Sequence, residues 1–158
     1  MNRAEIIRRL EQNGGPTAKA AAALIRDLID KLAQRSIKSH NHQFAEIRDM
    51  FDTLPESLRD APYAASPDAL RKHCLIKRGY CDTTATDCGS KAAAERVAAS
   101  MAVLATKAHG YAIVTTRGPM VICYTPHSQS MRAMGKRAFL ESKQAVLDEI
   151  ALMLEGET

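Results

Sequence analysis

Apolar residues in the first third of the chain recur every three or four positions, which is the spacing of amphipathic helices. The pattern predicts a short first helix that ends at Gly14, and a second helix that opens at Pro16. A third helix is predicted from about Ser36 until Pro55 stops it. The apolar face of the second helix comprises Leu24, Ile25, Leu28, Ile29 and Leu32. Residues 1–54 are therefore expected to form a helical hairpin or a small bundle. This wide apolar face predicts self-association through the amino-terminal helices, and the alternative is that all of its residues serve the core of the monomer.

The pattern changes to a mixture of helices and strands over residues 66–154. Ser66-Pro67-Asp68 predicts a helix start, since a capping hydroxyl, a proline and an acidic side chain all favour the first turn. Alternation from Tyr80 to Thr86 predicts a strand, and Ser90 opens a further helix. The apolar positions of that helix, which are expected to face inward, are Val97, Met101 and Leu104.

Glycines and a hairpin complete this part of the chain. Gly79 and Gly110 predict the ends of the two helices that precede them. Tyr111–Tyr124, with a turn at Gly118-Pro119, has the pattern of a β-hairpin, and a last helix is predicted over residues 138–154. We therefore predict an α+β fold, in which an amino-terminal helical hairpin or bundle (1–54) is followed by β-α-β-β-α with a small antiparallel sheet (66–154). The whole chain, 1–158, is expected to be a single domain.

Composition restricts the class of protein. Apolar residues make up 46% and charged residues 25% of the chain, which is typical of a folded globular protein. No apolar run approaches the ~18 residues that a membrane span needs. The amino end is basic and amphipathic and has no secretory apolar stretch, so we expect a cytoplasmic protein that does not enter a membrane.

The charges are unevenly distributed along the chain. The formal net charge is +4, but residues 67–143 contain twelve Lys and Arg against five Asp and Glu. Residues 144–158 contain four acidic residues and no basic one. A basic segment followed by an acidic end favours binding to a polyanion, with the acidic end competing for the same surface. The alternative interpretation is an ordinary solvated surface.

The sequence gives little support to a metal site or to catalysis. Cys74, Cys81 and Cys88 recur every seven residues, but structural zinc usually requires paired ligands two to four residues apart. We therefore expect free thiols and no metal. The chain has no Gly-x-Ser-x-Gly, no phosphate-binding glycine loop and no His-Glu-x-x-His, and its acidic residues show no catalytic pairing. These observations favour a protein that is not an enzyme and has no catalytic residue or cofactor.

Two clusters of basic residues are the best candidate for a functional site. Arg71 and Arg78 lie two turns apart on one face of a predicted helix. The second cluster surrounds the start of the last helix, where backbone N–H groups, serine hydroxyls and cations favour phosphate binding. The predicted nucleic-acid contacts are Arg71, Lys72, Lys77, Arg78, Ser128, Ser130, Arg132, Lys136 and Arg137, with Arg35 and Lys38 as further candidates. Base stacking would rest on Tyr63, Tyr80, Tyr111 and Tyr124, so contacts to the phosphate backbone are favoured over base readout.

Three segments also carry a resemblance to a known family. They are RSIKSHNHQFAEIRDMFDTL (35–54), SPDALRKHCLIKRGYC (66–81) and residues 118–150, in which Ser-x-Ser-x-x-Met precedes a helix that contains a phenylalanine. In this order they resemble the phage Orf/NinB family of recombination accessory proteins, and the tract from about 70 to 150 also resembles uncharacterised prophage proteins. The resemblance implies a homodimer that binds single-stranded DNA. It further implies a role in loading a recombinase or annealing protein past single-strand-binding protein, with the basic residues above as phosphate contacts.

Two other functions remain open at this point. The first is a protein–protein interaction module, for example a phage-encoded inhibitor of a host protein, which a flat apolar patch on the amino-terminal helices would favour. The second is a metal-dependent nuclease, which clustered acidic residues would favour.

Overall fold

The computed structural model describes residues 3–156, without the side chains of residues 3–4 and 32–40. It forms two compact units, with the boundary between His42 and Gln43. Along the chain, helices precede, separate and follow the strands of a three-stranded antiparallel sheet, so the predicted α+β class is confirmed. Within residues 3–156, no helix is long and apolar enough to cross a membrane.

The amino-terminal unit begins with a helical hairpin, as the sequence predicts. Helix α1 (Arg3–Asn13) is followed directly by α2 (Pro16–Asp52). A Cβ at Gly14 would collide with the carbonyl oxygen of Leu10, so the turn between the two helices requires glycine there. An ion pair between Arg26 and Glu11, with an N–O distance of 2.9 Å, links α2 to α1.

Helix α2 is one helix of 37 residues, and the predicted division into two helices near Ser36 is therefore wrong. After Pro16, the helix contains neither glycine nor proline. The polar stretch 35–43 contains no residue that removes a backbone hydrogen bond, so it does not interrupt the helix.

The core of the carboxy-terminal unit lies where α3 (Pro67–Lys77) and α5 (Met131–Glu155) pack together. Two short 3₁₀ helices, Glu56–Leu58 and Pro62–Ala65, connect α2 to α3. The buried residues of this core are Ile47, Leu54, Leu70, Cys74, Leu75, Val146 and Ile150. Burial raises the pKa of the Cys74 thiol to about 12, so this cysteine serves as a small apolar side chain.

Helix α5 starts about seven residues earlier than the predicted start at Ala138. Ser130 caps its amino end, and its Oγ accepts a hydrogen bond from the N–H of Ala133. Gly135 then adopts non-helical backbone angles (φ 79°, ψ 163°) and interrupts the helix after one turn. The sequence pattern detects the part beyond this break, where Phe139, Val146 and Ile150 are buried as expected.

The sheet has the strand order β1-β3-β2. Strand β1 (Cys81–Asp87) pairs with β3 (Met120–Pro126), and β3 pairs with β2 (Ile113–Arg117) in the hairpin that the sequence predicts. Tyr124 lies opposite Thr83 on one side and Ile113 on the other. Since directly paired residues point to the same face, these three side chains share one face of the sheet.

Helix α4 (Lys91–His109) packs on β2 and β3 and buries little of its own surface. Its apolar positions are not directed inward as predicted: Val97 is exposed, Leu104 is 68% exposed and Met101 is half-buried. Along Lys91–His109, which is described throughout, Ala94 is the buried residue. The helix is rich in alanine, and these small side chains permit close contact with the sheet while the larger ones remain outside.

Candidate nucleic-acid interface

Helix α3 carries the first basic cluster, and its ends are fixed by local interactions. The Ser66 hydroxyl accepts a hydrogen bond from the N–H of Ala69, and Pro67 is the first helical residue. At the other end, Gly79 has a φ of 81°, which ends the helix. The four cations of the cluster therefore lie on a helix that begins and ends where the sequence predicts.

Arg71 lies in the interior and is held by three groups. Its Nη2 is 2.7 Å from Asp68 Oδ1, and its Nη1 donates to Gln129 Oε1 at 2.9 Å. The guanidinium carbon lies 5.1 Å from the centre of the Phe44 ring. Gln129 in turn donates to Ser142 Oγ at 3.0 Å, so a buried polar network joins α3 to the loop before α5 and to α5 itself. This network anchors the Ser128–Ser130 loop to the core.

Two further cations of α3 have carboxylate partners. Lys72 Nζ lies 2.7 Å from Asp68 Oδ2, and Arg78 Nε lies 2.7 Å from Glu149 Oε2 on α5. Burial raises the pKa of Asp68, but hydrogen bonds from Lys72 and Arg71 outweigh this and hold the pKa below its ordinary value. Asp68 is therefore ionised near neutral pH and neutralises part of the charge of α3.

Arg71 and Arg78 share a helix face, as the sequence predicts, and that face is directed toward α5. Arg71 reaches Ser142 through Gln129, and Arg78 reaches Glu149 directly. Arg71 and Arg78 are seven residues apart on α3, and their partners Ser142 and Glu149 are seven residues apart on α5, in the same order. The two helices therefore run side by side in the same direction. Both arginines therefore participate in helix packing.

Lys77 is exposed and differs from these three cations because it has no carboxylate partner among the described residues. Of the ion pairs that the described residues form, none includes Lys77. It lines a groove of about 500 Å³ between the end of α3 and the sheet face that carries Tyr124. The other lining residues are Ile76, Gly79, Cys81, Thr83 and Ile113.

The second basic cluster surrounds the first turn of α5. Ser128 is exposed, and Ser130 uses its hydroxyl to cap the helix. Arg132 and Lys136 are exposed and, on the described part of the chain, have no ion-pair partner. Arg137 pairs with Glu141 at 2.7 Å, but its side chain is almost fully exposed, so water screens this pair strongly.

The side-by-side arrangement of α3 and α5 determines which cations come together. Lys77 lies at the carboxyl end of α3. Helix α5 reaches the start of α3 at Ser142, and Arg132 and Lys136 precede Ser142 on α5. The free cations therefore occupy opposite ends of this helix pair. The side chains of Arg35 and Lys38 lie outside the described residues, and their predicted role stays a prediction.

A histidine and two tyrosines form a cluster that the sequence analysis does not identify as a unit. His73 Nδ1 lies 2.9 Å from the Tyr111 hydroxyl, and the Tyr63 ring centre lies 4.5 Å from that of His73. Burial lowers the pKa of His73 to about 4 and raises the pKa of Tyr111 to about 12. This hydrogen bond therefore joins two neutral groups at neutral pH. The cluster connects α3 with Pro62–Ala65 and with the start of the hairpin.

The three cysteines that recur every seven residues are not brought together as ligands. Cys74 is in the core, Cys81 opens β1, and Cys88 follows that strand. Within the described part of the chain, no group of three His, Cys, Asp or Glu residues could hold a metal ion.

Sequence reasoning missed Gln129 and Ser142, which are the buried centre of the polar network. Gln129 stands between two serines in a polar loop and has no periodic pattern that would indicate burial. The ion pairs of Asp68 could have been predicted from the sequence, because Asp68 precedes Arg71 and Lys72 by three and four residues, the spacing of ion pairs on a helix.

No family model, curated protein or solved structure matches this chain.

Proposed function

We propose that the protein binds single-stranded DNA through its carboxy-terminal unit and catalyses no reaction. The observation that carries this proposal is the position of Arg132 and Lys136, which are exposed and unpaired beside the capped start of α5. Ser128 presents an exposed hydroxyl in the loop before them. Cations, hydroxyls and a helix start together favour phosphate oxygens.

The folded arrangement supports contacts to phosphate more than contacts to bases in this region. The hydrogen bonds of Gln129 fix the loop before α5, so the cations that follow this loop are held on an ordered segment of backbone. The resemblance to phage recombination accessory proteins supports the same substrate. It also leads us to propose a role beside a recombinase or single-strand-binding protein.

Salt dependence tests this proposal directly. Changing Arg132 and Lys136 together to Ala should weaken binding to oligo(dT) and to a mixed-sequence single strand by the same factor. The slope of log affinity against log salt should become shallower by about 1.4, since each lost phosphate contact contributes roughly 0.7 on a single strand. A fluorescence anisotropy titration at several salt concentrations measures both quantities.

A matched control removes the same charge from another surface. Arg8 and Arg9 on α1 are exposed and contact Glu5, so the double change to Ala should leave the salt slope unchanged. Binding that ignores salt, or equal slopes for both double variants, would contradict the proposal.

A second function has its own supporting observation in the amino-terminal unit. The apolar side chains Leu24, Ile25, Leu28 and Ile29 of α2 are exposed, Leu24 by 65%. Their spacing of one and four residues places them along one side of the helix. We propose that this side pairs with the same surface of a second copy, which makes the protein a homodimer.

Sedimentation velocity tests the dimer. The parent chain should sediment as a dimer at tens of micromolar, and changing Leu24 and Leu28 together to Glu should give a folded monomer. A parent chain that remains monomeric would contradict self-association and favour a different protein as the partner of this surface.

A further inference from the structure

The groove at the end of α3 has a composition that the phosphate contacts of α5 do not explain. It opens onto the face of the sheet that carries Tyr124, and this tyrosine lies on the central strand. Tyr124 and Ile113 are half-buried and, with Ile76, provide an apolar surface. A groove of about 500 Å³ has the size of a small-ligand site.

Polar groups stand at defined positions around this apolar surface. The Thr83 side chain is exposed on the strand beside Tyr124, and the unpaired Lys77 ammonium lies at the edge formed by α3. None of the described residues that line the groove is acidic. Asp82 points to the opposite face of the sheet, where its carboxylate pairs with His127 at 3.2 Å. The groove therefore combines an aromatic ring, a hydroxyl and one uncompensated positive charge.

We propose that this groove binds one nucleotide of a single strand, with its base stacked on Tyr124 and its phosphate at Lys77. Stacking suits the ring because every base has an aromatic face, and it needs no particular sequence. The ammonium attracts the phosphate as a point charge, and Thr83 offers a hydroxyl to the base or the sugar. This inference rests on the proposed single-strand binding and adds a base-binding position to it.

The absence of tryptophan from the sequence permits a direct experiment. Tyr124→Trp places the only tryptophan of the chain in the groove, where a stacked base should quench its fluorescence. The probes are oligo(dT) and an abasic strand of the same length, which carries equal charge but no base. Oligo(dT) should quench the fluorescence, and the abasic strand should not. Val103→Trp, at an exposed position on α4, is the matched control and should be quenched by neither.

Affinity measurements with smaller changes complete the test. Tyr124→Leu should weaken oligo(dT) binding about tenfold, and Tyr124→Phe should bind as the parent does, because stacking needs the ring and not the hydroxyl. Neither change should alter binding of the abasic strand. Lys77→Ala should weaken binding of both strands, since it removes a charge and no stacking surface.

The outcomes separate this inference from the proposed function. If the Arg132 and Lys136 double variant loses affinity while Tyr124→Trp is not quenched, single-strand binding stands and the groove inference is overturned. If the parent binds no oligonucleotide at low salt, the proposed function fails. Titration of Tyr124→Trp with thymidine monophosphate then decides the groove separately, because quenching supports a nucleotide site and unchanged fluorescence overturns it.

Discussion

Helices α3 and α4 begin and end alike but differ in what they bury. Ser66 and Ser90 each accept a hydrogen bond from the N–H three residues later, and Gly79 and Gly110 each follow with positive φ. Yet α3 buries six of its eleven residues, whereas α4, with nineteen, buries only Ala94. The comparison shows that local signals fix where a helix lies in the chain, while its contribution to stability depends on the surfaces that it meets.

The largest expected difference between the two helices concerns their leucines. Leu70→Ala in α3 should lower the free energy of unfolding by about 3 kcal/mol, because Leu70 is fully buried and the change leaves a cavity. Leu104→Ala in α4 should change it by less than about 0.5 kcal/mol, since that side chain is largely exposed. Urea unfolding followed by circular dichroism measures both values. Similar losses for the two variants would show that α4 is buried in solution.

The arginines of the two helices extend the comparison to polar groups. Arg71→Met in α3 should cost about 2 kcal/mol, because it leaves Gln129 Oε1 and the Asp68 carboxylate without their guanidinium partner. Arg96→Met in α4 removes an exposed arginine and should cost less than about 0.5 kcal/mol. The same urea experiment gives both numbers. An Arg71→Met protein as stable as the parent would mean that the buried network contributes no net stability.

These differences also show what could be predicted from the sequence. Capping serines, terminating glycines and the hairpin are local patterns, and they gave the element order of residues 66–154. Burial depends on residues that are distant in the chain. Periodicity therefore could not reveal that Val97 and Leu104 remain outside.

For the candidate site, too, the sequence predicted which residues are present but not which of them are buried. The clusters of Lys and Arg in the sequence identified the cations of the candidate site, but they could not distinguish the buried Arg71 from the exposed Lys77 six residues later. Arg71 is buried against Gln129 and Phe44, which are distant from it in the sequence, so no local pattern indicates its burial. The groove was equally inaccessible to sequence reasoning, because it is formed by the end of one helix and three strands.

The histidine of α3 adds a pH dependence to the comparison. Burial lowers the pKa of His73 to about 4, against about 6.5 for an ordinary histidine, and the charge of Lys77 acts in the same direction. Between these two values the unfolded chain binds the proton more readily than the folded chain. The contribution of His73 to stability is therefore complete above about pH 6.5 and is lost as the pH falls toward 4.

Replacing this histidine should flatten the acid side of the stability curve. His73→Gln should lose less stability than the parent between pH 7 and pH 4.5, because the glutamine cannot take up a proton in that window. Urea midpoints at both pH values measure the loss. His109→Gln, at the exposed end of α4, is the matched control for the removal of an imidazole. Equal acid sensitivity in His73→Gln and the parent would contradict the burial of His73.

The smallest expected effect concerns the capping serines, where the two helices are most alike. Ser66→Ala and Ser90→Ala each remove one cap hydrogen bond, which contributes about 1 kcal/mol to the helix that it starts. Because α3 is part of the core, loss of the Ser66 cap should appear as a lower global free energy of unfolding. Because α4 buries only Ala94 of its own residues, we expect it to open before the core does, and loss of the Ser90 cap should then appear mainly as faster amide exchange in its first turns. Ser66→Asp and Ser90→Asp retain a capping acceptor and should restore both quantities.

Hydrogen exchange and urea unfolding, measured on the same four variants, therefore decide whether equal caps have unequal effects. Equal global losses for both alanine variants would mean that α4 unfolds together with the core.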